Sequence, residues 1–263
     1  MIEKERVYVE PRITLLGAGP GDPDLISVKG VKALKTADVV IYDALVDEAL
    51  LEYVPKGAPR VYVGNPSGDE NFSQATVNQL MVDYAMNFGH VVRLKGGDLF
   101  VFGRGYEELD FAASYSVKTT IIPGISSAIS VPGLQSIPVT HKGESDSLWI
   151  LSGTDSRGHF NPELLDAARS KATVVVLLAY EYLHEITTLY KGLGKGRLPA
   201  AVIQNGSMKN EKVALGLVNT IEEVAEEVGI DSTGPVLLVF GQTVALHPEF
   251  GYISRFLNRK VYD

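Results

Sequence analysis

Apolar positions in the first half of the chain fall into short runs separated by segments of helical spacing, the rhythm of a parallel sheet with crossover helices. Residues 12–16 (RITLL) read as a strand that ends in Gly17-Ala18-Gly19-Pro20-Gly21. Residues 27–37 follow as a helix, with Val28, Val31, Ala33, Leu34 and Ala37 close to helical spacing and Ser27 placed to cap. Further strands are predicted at 38–42 (DVVIY), 60–64, 90–94 (HVVRL) and 118–122, with a long helix over 74–88. The pattern pauses at Pro123-Gly124, which places the boundary between an N-terminal α/β domain, 1–122, and a C-terminal α/β domain, 123–263.

The second half predicts strands at 147–151, 173–178, 200–204, 212–217 and 236–240, and helices near 162–168, 182–191 and 221–228. Strands 200–204 and 212–217 have no helix between them. Asn205-Gly206 there suggests a hairpin, so this sheet is expected to be mixed. No internal repeat or low-complexity tract is visible, and the tail 247–263 reads as a short helix or loosely ordered chain.

A length of 263 residues suits two modest lobes, and 45% hydrophobic with 21% charged residues excludes wholesale disorder. The net charge of −8 argues against a nucleic-acid or polybasic membrane partner, and neither half is cationic: 12 basic and 17 acidic groups lie in 1–122, 12 and 15 in 123–263. With no cysteine, disulfides, thiolate nucleophiles and cysteine metal sites are ruled out, which fits a reducing cytosol. The N-terminus is charged where a signal peptide needs an apolar run, so a soluble cytoplasmic protein is expected. The five histidines, His90, His141, His159, His184 and His247, show no ligand spacing, and no metal is expected.

Candidate chemistry lies in the loops. Gly17 to Gly21 follow a strand as a dinucleotide loop would, and Asp43 resembles a ribose-binding acid. Yet Asp22 stands where the third glycine belongs, and Pro23 lacks an amide hydrogen, so a phosphate ligand is disfavoured. A tight strand-to-helix connection would explain these glycines equally well. The run from Arg93 to Gly105 also follows a strand. Two glycine loops at strand C-termini would line one crevice, with Gly96 and Gly97 allowing close backbone approach and Asp98 accepting from a hydroxyl or ammonium group. Arg93, Lys95, Arg104 and Lys142 are cations available to an acidic ligand. Singly, Arg93 and Lys95 are equally explained as strand residues on opposite-facing pleats or in surface pairs, whereas Arg104 sits among loop glycines with no packing role. Ser126 and Ser127 in the Pro123–Ala128 loop are explained by helix capping alone, and His141 by an exposed loop.

The segments TLLGAGPGDPDLISVKGVKALKTADVVIYDALV (14–46), VVRLKGGDLFVFGRGYEE (91–108), PGISSAIS (123–130), IPVTHK (137–142), VIQNG (202–206) and GPVLLVFG (234–241) resemble the tetrapyrrole (corrin/porphyrin) methyltransferase family over most of the chain. The GGD-x-F-x-FGRG loop and YDALV look most like members acting on uroporphyrinogen III. The resemblance implies two α/β lobes, a mostly parallel N-terminal sheet and a mixed C-terminal one, with the active site in the cleft between them and a homodimeric assembly. It implies S-adenosyl-L-methionine as methyl donor, S-adenosyl-L-homocysteine as product, and methylation of uroporphyrinogen III at C-2 and C-7 to precorrin-2, toward sirohaem or cobalamin. By the same resemblance Pro20, Gly96, Gly97, Asp98, Val101, Ser126, Ser127, Leu178, Ala179, Asn205, Gly206, Gly234 and Pro235 contact the donor, largely through backbone. Arg104, Glu107 and Lys142 face the tetrapyrrole, and Arg104 orients the pyrrole and assists loss of its proton.

The chain departs from the common pattern at Ala44, Leu99, Tyr106 and Lys142, lacks a methionine near Leu178, and lacks basic residues over 64–73. Ala44 and Lys142 remove guanidinium groups from the substrate side. A methyltransferase for a later precorrin, or a noncatalytic donor-binding homologue, therefore stands as an alternative. An NAD(P) oxidoreductase is disfavoured by Asp22 and Pro23.

Overall fold

Strand β4 (His90–Lys95) is buried along its whole length because it has a neighbour on each side and helices on both faces. In the computed structural model, which describes residues 9–64 and 73–252, it is the centre of a five-stranded sheet. The others are β1 (Arg12–Gly17), β2 (Val39–Tyr42), β3 (Arg60–Tyr62) and β5 (Lys118–Ile122), in the order β3-β2-β4-β1-β5, with every pair parallel. On one face Ile13, Leu15, Ile41 and Val91 pack against Val77, Met81 and Ala112 of helices α2 (Gln74–Phe88) and α3 (Gly105–Ser114). On the other, Leu16, Val40, Val92 and Leu94 meet Leu34 of α1 (Val28–Leu34) and Leu50. Ser27 caps α1, accepting from Gly30 N at 3.0 Å.

The second sheet has the order β6-β7-β10-β8-β9, formed by β6 (Leu148–Ser152), β7 (Thr173–Leu177), β8 (Pro199–Gln204), β9 (Lys212–Leu217) and β10 (Val236–Phe240). Only β6 and β7 are parallel, and β8–β9 is the expected hairpin. One face carries α5 (Leu164–Arg169), α6 (Leu183–Gly192) and α7 (Ile221–Glu227), and the other α4 (Ser127–Leu134). The chain divides into compact units Met1–Ser126 and Ser127–Asp263, so the Pro123–Ser126 loop stays with the first sheet. Close packing of Gly124 on Gly17 and Gly97 is the reason. No helix among the described residues is long and apolar enough to cross a membrane. Most of the 64–73 segment and the end of the tail lie outside the described residues.

His90, a scattered histidine in the sequence, is a buried ligand of the backbone. Its Nδ1 lies 2.9 Å from Thr36 O and its Nε2 2.8 Å from Thr14 Oγ1, so Nδ1–H donates and Nε2 accepts. Burial, with Arg12 adding to it, pushes this imidazole below its ordinary value. The unfolded chain therefore gains a proton that the folded chain refuses, and stability present at neutral pH is lost as pH falls through the unfolded value, about 6.5. Thermal melting from pH 8 to 5.5 is expected to show this decline, and His90→Gln to lack that component. Identical slopes for the two proteins would remove His90 as its source.

Candidate functional site

The C-terminal ends of β1, β4 and β5 carry three loops tied together by backbone. Ala18 N donates to Lys95 O at 2.7 Å, and Gly19 and Gly97 exchange two bonds, of 2.7 and 3.3 Å. A Cβ on Gly124 would lie 2.0 Å from Gly97 O and 2.7 Å from Gly17 Cα, so these glycines exist for backbone contact. Asp98 accepts from Phe100 N at 2.9 Å and from Gly124 N at 3.2 Å. Its carboxylate thus braces the loops, a task not evident in sequence. Pro20, Gly96, Gly97 and Asp98 are thereby brought together, with Val101 further along the β4–α3 loop and Ser126 just beyond Gly124. Ligands of open parallel sheets bind at such strand ends.

Gly97 has φ +65°, and nothing lies within 4 Å of the place its Cβ would occupy. Beside two glycines packed against backbone, this opening can take a ligand atom close to the chain. Leu99, a departure from the common pattern, is fully buried and anchors the loop in the core below. From it the chain turns back tightly, Gly105 N donating to Leu99 O at 3.0 Å. Arg104 precedes α3 in the left-handed conformation, φ 54°, ψ 25°, with no side-chain cap. Its guanidinium is exposed and forms no ion pair among the described residues, as is true of Glu107. Arg104 thus combines a strained backbone with an unpaired, solvated charge.

Arg93 and Lys95 are corrected by the structure. Residues two apart on a strand share a face, so the two point together, beneath α2 and α3 rather than on opposite pleats or at the surface. Both are buried, and both donate to Glu108 Oε1, Arg93 Nε at 3.1 Å and Lys95 Nζ at 2.8 Å. Burial pushes the Lys95 ammonium below its usual range. Neither cation is available to a ligand, which leaves Arg104 in this unit. Asp43, outside the predicted donor set, accepts from Gly96 N at 3.3 Å and from Arg93 at 3.4 Å.

In the second unit one edge of the sheet collects the remaining candidates. Because β10 runs against β7 and β8, its start lies beside their ends. Leu178, just after β7, is left-handed at φ 54° and 65% exposed, an unusual pairing of strain and solvated leucine. Ala179 is buried against Gly153, where a Cβ would come within 2.6 Å. Asn205, at φ 53°, donates through its backbone to Pro235 O at 2.9 Å, and Gly234 leaves room for its side chain. Gly206 packs on Val131 of α4, which begins at Ser127. Lys142 is exposed in the His141–Ser145 turn and makes no ion pair among the described residues. Gly153 was missed because a lone glycine after a strand carries no distinguishing signal. Glu108 was hidden by the exposed Glu107 beside it. Among the described residues no group of three or more acidic or histidine side chains is arranged to hold a metal ion.

Comparison with known proteins agrees with this picture. The family model for tetrapyrrole (corrin/porphyrin) methylases matches residues 12–223. A uroporphyrinogen-III C-methyltransferase of Methanocaldococcus jannaschii is 37% identical over 89% of this chain and 96% of its own. A siroheme synthase of Actinobacillus pleuropneumoniae is 36% identical over 92% of this chain, which spans only 49% of that protein. A uroporphyrin-III C-methyl transferase from Thermus thermophilus, solved with S-adenyl homocysteine, superposes with a TM-score of 0.75 at 33% identity, covering 89% of this chain and 99% of that one.

Proposed function

Because the chain belongs to the tetrapyrrole (corrin/porphyrin) methylase family, we infer that it transfers methyl groups from S-adenosyl-L-methionine to C-2 and C-7 of uroporphyrinogen III. The observation that carries the reading is the open place above Gly97, beside Gly17 and Gly124, which are spent on backbone contact. It fits a donor held through main-chain groups. The donor supplies an already activated sulfonium methyl. As an electron-rich pyrrole carbon takes the methyl, its C–S bond breaks and the macrocycle loses a proton, so the protein's task is alignment and exclusion of water.

The loops at Pro20, Gly96–Val101 and Ser126 in the first unit, and Ser127, Leu178-Ala179, Asn205-Gly206 and Gly234-Pro235 in the second, supply donor contacts. Arg104, Glu107 and Lys142 serve the acceptor. Arg104 offers a two-pronged donor to ring carboxylates. It orients the pyrrole and assists loss of its proton. Its exposure without a partner supports this assignment. The same reading extends to a homodimer, which the family resemblance implies, acting in the cytoplasm, which the cysteine-free composition fits.

Incubation with uroporphyrinogen III and labelled donor is expected to yield a product heavier by two methyl groups. No product, with turnover of a later precorrin instead, would move the chain to the alternative methyltransferase class. Homocysteine-product binding with no methylation of any tetrapyrrole would make it a binding protein.

A further inference from the structure

From Gly96 to Arg104 the chain makes nine residues of tight loop, and both Phe102 and Arg104 in it are left-handed, φ 54° each. Non-glycine residues hold that conformation only where their surroundings over-determine it. Leu99 in the core and Asp98, accepting from Phe100 N and Gly124 N, brace the middle of the loop, but Phe102 and Arg104 do not hold its feet: both are exposed, and neither makes an ion pair among the described residues. What lies beneath does. Glu108, fully buried one turn into α3, accepts through Oε1 from Arg93 Nε, Lys95 Nζ and Gln74 Nε2 (3.3 Å), while Oε2 has no partner among the described residues. Arg93 passes the connection on to Asp43, whose other oxygen takes Gly96 N. One run of polar contacts therefore grips the loop at both feet, at Gly96 through Asp43 and at the start of α3 through Glu108. Glu108 N also donates to Arg104 O at 3.4 Å.

Two cations and a carboxylate buried together, with the half-buried Asp43 at their edge, are a poor device for stability alone, since apolar replacement of such groups is often neutral. Their use here is geometric. We propose that Glu108 is a positioning residue that, through Lys95, Arg93 and Asp43, holds the 96–104 loop and keeps Arg104 in its left-handed, outward conformation. The proposal rests on the acceptor-side role given to Arg104 above.

Two measurements on the full chain test it. Tryptic cleavage after Arg104 reads loop order without any turnover, and Glu108→Gln is expected to speed it by about tenfold or more relative to cleavage at sites outside the loop, alongside the fall in melting temperature that leaving Arg93 and Lys95 unpaired brings. In a double-mutant cycle, Glu108→Gln is expected to lower kcat by about tenfold with donor KM little changed, and to lower it no further than about threefold when Arg104 is already alanine. Unchanged cleavage, or additive losses, overturns positioning while leaving the function intact. Near-normal turnover by Arg104→Ala overturns both roles, and absence of product from wild type overturns the function while cleavage still judges the loop. Should Glu108→Gln fail to fold, Lys95→Met in the same chain restores the charge balance, and both measurements are made in that background.

Discussion

Arg104→Gly is expected to lose methyl transfer by about 10²-fold or more in kcat, as removal of a charged donor at a reacting centre does, and to melt no lower than wild type. The second half of that expectation comes from backbone. Arg104 is left-handed at φ 54°, a conformation that disfavours a side-chain-bearing residue by about 1–2 kcal/mol. Glycine adopts it freely, is tolerated at a helix N-cap, and offsets its own loss of chain entropy of about 0.5–1 kcal/mol. Activity and stability thus move apart, the signature of a strained residue kept for function. Arg104→Ala keeps the strain and should show the same loss of turnover with S-adenosylhomocysteine binding preserved. A turnover assay, calorimetric titration of the product and a thermal melt check these three properties in turn. Near-normal turnover by either variant sinks the role of Arg104, and a large fall in melting temperature of the glycine variant shows that the guanidinium supports the fold instead.

Gly124→Ala and Gly97→Ala should fail in different ways although both lie in the same set of loops. At Gly124 the new Cβ would sit 2.0 Å from Gly97 O and 2.7 Å from Gly17 Cα, all backbone that cannot rotate aside. The β4 and β5 loops must part, breaking the Asp98–Gly124 bond and straining the Gly19–Gly97 pair. A loss of about 3 kcal/mol or more in unfolding free energy is expected, in the range of overpacking aggravated by lost hydrogen bonds. At Gly97 nothing obstructs the methyl, and the left-handed φ of +65° costs about 1 kcal/mol. That protein should fold, yet bind S-adenosylhomocysteine at least about tenfold more weakly, because the methyl would fill the opening proposed for the donor. Urea denaturation and product titration separate the two. Normal product affinity in Gly97→Ala would move the donor away from that glycine.

Much of the scaffold was legible in the order of residues. A parallel sheet in the first unit follows from buried runs such as VVIY and HVVRL alternating with helical spacing, and the β8–β9 hairpin from two adjacent strands around Asn205-Gly206. Helix α3 escaped because its entry is a glycine loop with Arg104 in a left-handed turn, which masks the usual start. The acids Glu107 and Glu108 in its first turn and the apolar Leu109 and Ala112 were the available signals. The glycine clusters at strand ends were readable, but not which glycine is packed and which is open, since that depends on the loop lying opposite.

Sequence alone determined where positive charge is carried, at Arg93, Lys95, Arg104 and Lys142, and set Arg104 apart only by the glycines around it. Tertiary structure decided what each does. The pleat turns Arg93 and Lys95 to one face, α3 lowers Glu108 onto them, and burial in low dielectric makes pairing obligatory. Arg104, nine residues beyond Lys95, is carried by the left-handed turn out to solvent. Charge belongs to the residue, but its availability belongs to the field of neighbours and water around it, and those neighbours meet only when distant segments pack.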